Sequence, residues 1–269
     1  HAILRIAGAY HHSRDDNNSA PFVTRIQAYA RKHYLRVLHT LAYAGDPDQH
    51  APLDGQRAQI ATSTENIVNE DSLAGDPRWT IPNDRIAAAG LSLDYDLSGP
   101  LTVRTSYQQG TWWAPHEPQI YERPMSAENE FSLLQTGPDS ASVPTGPTSS
   151  PTERIDDFSA RILSDDTEQV DATRAAGWMD VVGDERRVGV GIRHFTEAYP
   201  KEITLSIDSQ RVDAELWSGS ARPMSFARWS SDEDGGMVGN FAQGLTKTTE
   251  YVYRFHEAET DLADVRRSL

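Results

Sequence analysis

Hydrophobic and polar residues alternate with a period of two along most of the chain, and turn residues punctuate the alternation. Successive side chains on opposite faces are the mark of half-buried strands. The pattern predicts strands over 22–30 and 34–43. In the second, Leu35, Val37, His39, Leu41 and Tyr43 share one face, with Arg36 and Thr40 on the other. The run GDPD (Gly45 to Asp48) then predicts a turn, because Gly and Asp tolerate unusual backbone angles and Pro presets its own. Residues 50–84 are polar and punctuated, and read as a long excursion with little regular structure. Strands are expected again over 85–96 and 101–108, joined by Ser98-Gly99-Pro100, and within 121–135. Residues 136–152 shift to Gly, Pro, Ser and Thr, the composition of a flexible loop or of a linker between two halves.

Alternation returns over 157–163, 176–182, 188–195, 202–207, 212–217 and 246–255. In the last run Tyr251, Tyr253 and Phe255 face one way, and Glu250, Val252, Arg254 and His256 the other. Only 257–269, rich in Glu, Ala, Leu and Arg, reads as a helix. About a dozen strands and one short C-terminal helix imply an all-β fold, two antiparallel sheets packed as a large β-sandwich. The sandwich is expected over 1–256, with 257–269 opening a following helical segment. No internal repeat of fixed period is present.

Composition adds bounds. The 269 residues suit one large all-β unit, and 38% hydrophobic residues can fill a sizeable core. No apolar run approaches the roughly 20 residues of a bilayer-spanning helix. The chain starts at His1 without a signal-peptide pattern, so it is expected to begin inside a longer protein. There is no cysteine, which excludes disulfides and thiolate metal sites but leaves the compartment open, secretion included. A formal net charge of −15 disfavours nucleic acid and anionic membrane surfaces. It also repels a polyuronate unless basic residues cluster locally. Lysine occurs only at Lys32, Lys201 and Lys247; the other basic residues are arginines.

Candidate chemistry is sparse. His11 and His12 beside Asp15 and Asp16 lie in a loop-like polar stretch without convincing ligand spacing, so neither a metal nor another cofactor is expected. Gly189 to His194 (GVGIRH) lacks the third glycine and following helix of a phosphate loop and reads as ordinary strand. No nucleophile elbow occurs. Trp112, Trp113 and His116 close a strand and enter a Pro-rich loop, which suits a sugar-stacking platform or equally a core or interface cluster. Arg25 and Tyr29 share a strand face opposite Ile26 and Ala28, in a groove or on a solvated face. His39 sits among apolar neighbours, as a satisfied core histidine does.

Four segments in order carry a family resemblance. FVTRIQAYARKHYLRVLHTLAYAGDPD (Phe22 to Asp48) resembles the opening of the central domain in the exo-rhamnogalacturonan lyase and YetA-like family, through Arg25, Tyr29, Arg36, His39, Thr40, Gly45, Asp46 and Pro47. DRIAAAGLSLDYDL (Asp84 to Leu97) is similar to that family's next strand. GWMDVVGDERRVGVGIRHFTEAYPKEI (Gly177 to Ile203) and QGLTKTTEYVYRFH (Gln243 to His256) resemble two later segments. The histidine usual before the final glutamate is Thr249 here.

The resemblance implies a β-sandwich between an N-terminal barrel and a C-terminal α-helical toroid of one parent chain, acting on an acidic polysaccharide. Eliminative cleavage of a uronate polymer removes the C5 proton, which needs a base such as His or Tyr. It also needs a cation or hydrogen-bond donor on the neighbouring carboxylate, for which the planar Arg fork is suited. The candidates are His39, Tyr29, Arg193 and His194 for catalysis, and Arg25, Trp112, Trp113, His116, Tyr199, Lys201 and Glu250 for substrate binding. A non-catalytic sugar-binding or scaffolding module, or part of a glycoside hydrolase, are the alternatives, since one architecture hosts several chemistries.

Overall fold

A computed structural model of the chain describes residues 1–12, 15–43, 85–86, 88–111, 114–125, 130–137, 158–221, 224–225, 228–231, 237–240 and 246–269. The expected turn at 45–48, the whole 50–84 excursion, Trp112, Trp113 and most of the 136–152 segment lie outside these residues. So do the side chains of His11, His12, Asp15 and Asp16.

The expected sandwich is present. Its strands are β1 (Ala2–His12), β2 (Asp15–Ala28), β3 (Tyr34–Ala42), β4 (Arg85–Ile86), β5 (Ala89–Asp94), β6 (Thr102–Gln108), β7 (Gly110–Thr111), β8 (Ala114–Pro115), β9 (Gln119–Pro124) and β10 (Glu130–Thr136). They continue as β11 (Ser159–Ser164), β12 (Thr167–Ala172), β13 (Arg174–Val182), β14 (Arg186–Ile192), β15 (Lys201–Ser206), β16 (Arg211–Trp217), β17 (Met224–Ser225), β18 (Arg228–Ser231), β19 (Met237–Asn240) and β20 (Thr246–Glu257). One helix, α1 (Leu262–Ser268), closes the chain. An eight-stranded sheet runs β1-β2-β3-β20-β14-β13-β6-β9, and a six-stranded sheet runs β12-β11-β10-β15-β16-β5; β4/β17, β7/β8 and β18/β19 are small two-stranded pairs. All pairings are antiparallel.

Alternation builds the core. Val37, Leu41, Val103, Met179, Val181, Val190, Ile192, Tyr251 and Tyr253 point inward from the larger sheet. Phe131, Leu133, Ile162, Ile203, Leu205, Val212, Ala214 and Leu216 meet them from the smaller one. Each Val, Leu, Ile, Phe or Met among them contributes about 1.5–3 kcal/mol on leaving water. Gln135 is a fully bonded polar group between the layers: it donates to the carbonyls of Thr136, Ser159 and Thr173 and accepts from the Ala175 amide.

Several boundaries differ from the sequence reading for identifiable reasons. β1 was not anticipated, because Ile3, Leu4 and Ile6 fall on both faces and stay exposed on an edge strand. β12 is polar on nearly every position, so it shows no alternation. The 121–135 region holds two strands, β9 and β10, in different sheets. Ser98-Gly99-Pro100 does not close a hairpin; it carries the chain from β5 in one sheet to β6 in the other. β14 stops at Ile192 rather than reaching Phe195, because His194 takes a left-handed conformation, φ 53°, and turns the chain. The helix is shorter than 257–269: Glu257 still pairs with Arg186, and Asp261 caps the Ala263 amide to start α1.

Candidate functional site

Register brings three of the four resemblance segments together at one place; the fourth, containing β5, lies at the edge of the smaller sheet. β20 lies between β3 and β14, so Glu250 pairs with Leu38 on one side, while the Arg193 amide, just past β14, donates to the Glu250 carbonyl on the other. The 193–200 turn then leads straight into Lys201 at the start of β15 in the second sheet. A cavity of about 220 Å³ opens here, lined by Leu38, Arg193, His194, Ala198, Lys201 and the 247–250 run of β20. Four of the candidate residues, Arg193, His194, Lys201 and Glu250, are on its wall.

Glu250 is the cavity's acid, and it is committed. Arg36 grips it through Nε to Oε1 at 2.5 Å and Nη2 to Oε2 at 2.9 Å, and Arg193 Nη1 reaches Oε2 at 3.1 Å. The Arg36 hydrogen bonds, with Arg193 behind them, hold its carboxyl below the usual carboxylate range. An acid so held stays ionised and is a poor proton carrier. Arg193 is the looser partner, its side chain 59% exposed, and is the guanidinium free to turn to a ligand. Tyr29 donates to Gln27, which also accepts from Arg36 Nη1 at 3.5 Å, so Tyr29 meets the site only through Arg36.

The two lysines are the site's less expected feature. Lys201 is 1% exposed, and its Nζ donates to the carbonyls of Arg193 at 2.8 Å and His194 at 3.1 Å. Burial, reinforced by the charge of Lys247, brings its pKa down to about 8. Lys247 lies over the Trp217 ring, 5.4 Å from its centre, and burial lowers it as well. The sequence marks Lys247 as one of three lysines in an arginine-using chain and as part of a resemblance segment, but no role attaches to it there; its rarity was the available signal.

The other candidates fall elsewhere. Arg25 is exposed two strands away, paired with Arg5 and Leu38, so Arg5, Arg25, Leu38 and Glu250 form one row across the sheet, roughly 14 Å at ordinary strand spacing. His39 is 1% exposed and faces the core, its Nδ1 bonded to Thr24 and its Nε2 to Tyr10. Burial lowers its pKa. Thr249 pairs with His39 and reaches the cavity wall. Tyr199 packs edge-on to Phe158, 5.4 Å between rings, and is not among the residues that line the cavity. His116 is exposed beyond β6, and β13 and β14 separate that strand from β20. Among the described residues no group of three or more His, Asp or Glu is placed to hold a metal.

No protein-family model and no curated protein matches the chain.

Proposed function

We propose that this chain is the β-sandwich of a polysaccharide lyase-like protein, binding rhamnogalacturonan or another uronate-containing polysaccharide and contributing to its β-elimination within a larger parent. The observation that carries the reading is local charge reversal. In a chain of formal net charge −15, Arg193, Lys201 and Lys247 converge on one cavity, and Arg5, Arg25 and Arg36 extend the basic surface across the sheet. That is the clustering an acidic polymer requires, because a carboxylate leaves water only for donors that replace its hydration. Arg193 would clamp the uronate carboxylate and stabilise charge on it as the C5 proton leaves. His194 is the imidazole on the cavity wall and the candidate base.

The chemistry is tested by incubating the parent protein with rhamnogalacturonan and following the ultraviolet absorbance of the unsaturated uronate. Appearance of that chromophore, lost in Arg193→Ala, supports the lyase. Reducing ends without it would indicate hydrolysis. A non-catalytic binding module is the second reading, favoured by the commitment of Glu250 to two arginines, which leaves the cavity better equipped to hold an anion than to exchange protons with one. Binding of acidic polymer with no product of either kind would select it.

A further inference from the structure

Lys201 and Lys247 come from different sheets and line the same cavity, yet the described residues do not supply acceptors for all three protons of the Lys201 ammonium. An ammonium carries three N–H donors. Lys201 places two on the carbonyls of Arg193 and His194, and no third acceptor stands among the described residues. A neutral amine, with two N–H donors, is satisfied by that pair of carbonyls alone. The charged or titratable groups around the amines are Arg193, His194 and Glu197 on the turn and Glu250 on β20. Glu250 is held by two arginines, and Glu197 is the one acid that favours the Lys201 charge.

We propose that the cavity takes up a proton together with its anion: an oxygen of the bound carboxylate supplies the third acceptor of the Lys201 ammonium and offsets its repulsion by Lys247, so that the liganded site holds both lysines charged. The inference rests on the reading of the cavity as a uronate site and adds its control by pH. The direction follows from linkage. Without ligand Lys201 loses its proton near pH 8, and a bound anion raises that value. Below about pH 7 both states are protonated and binding moves no proton. Above pH 8 the ligand must bring one with it, and affinity falls, approaching tenfold per pH unit.

Calorimetric titration of the full chain with trigalacturonate measures this, in pairs of buffers of different ionisation enthalpy at pH 6.5 and 8.5. The expected result is uptake near zero at pH 6.5 and between about one half and three quarters of a proton per ligand at pH 8.5. Lys201→Met abolishes the uptake. Should that variant not fold, Lys247→Met relieves the repulsion and shrinks the uptake at pH 8.5. Binding of equal strength and no buffer dependence at both pH values overturns proton coupling and leaves the uronate site standing. Failure of trigalacturonate to bind at either pH, or equal binding of neutral galactotriose, overturns both.

Discussion

His39 and Lys201 are equally withdrawn from solvent, each 1% exposed, and both were candidates for the site, yet they sit in opposite situations. Both ring nitrogens of His39 are engaged, by Tyr10 and Thr24, between the layers. Lys201 has two of its three possible donors engaged and stands on a cavity wall. Burial is therefore a poor guide to function. A buried polar group whose bonding capacity is filled by the protein holds the fold together; one left with capacity beside a cavity has something to offer a ligand.

The sharpest way to break this contrast is to remove His39. His39→Ala opens a cavity and takes the imidazole partner from the Tyr10 and Thr24 hydroxyls, and is expected to cost about 3 kcal/mol in urea melts while leaving trigalacturonate affinity unchanged. Weakened binding with intact stability would move His39 into the site. Lys201→Met is expected to do the reverse at pH 6.5: roughly 30-fold weaker binding, because a desolvated charge partner is lost, with the sandwich retained. Melts and titrations on the same sample separate the two effects.

Acid and base should distinguish the residues by sign. The folded-state pKa of His39 is depressed, so below pH 6.5 the unfolded chain gains a proton that the native core refuses. Stability therefore falls as the solution becomes more acidic, and His39→Gln flattens that fall. Lys201 is depressed from 10.5 to about 8, so its contribution to stability rises between those values as the solution becomes more basic. The rise should vanish in Lys201→Met; its persistence there would show that Lys201 is not the titrating group. The smallest effect belongs to Arg25, exposed and two strands from Glu250. Arg25→Ala should weaken polymer binding by only about 0.5 kcal/mol and leave a short oligomer unaffected.

The fold was legible wherever one face of a strand meets the core, as in β3, β16 and β20, because burial imposes the two-residue rhythm. It was less legible where the two faces show little contrast: β12 is polar on nearly every position and shows no alternation, and β10, buried on six of its seven positions, was expected only as part of a single strand within 121–135, not separated from β9. Of the site, Arg193, His194, Lys201 and Glu250 were legible through the resemblance segments. Their convergence was not, since it depends on β20 inserting between β3 and β14, and on a left-handed His194 turning the chain toward Lys201. Lys247 was missed because its partner, Trp217, belongs to the other sheet.

The claim that the cavity at the head of β20 is the acidic-sugar site is tested most directly by following backbone amides in a nuclear magnetic resonance titration with trigalacturonate. Saturable shifts confined to Leu38, the 193–201 turn and residues 246–250 are the expected result. Shifts centred on the strands around His116, with the turn and β20 unmoved, would contradict it.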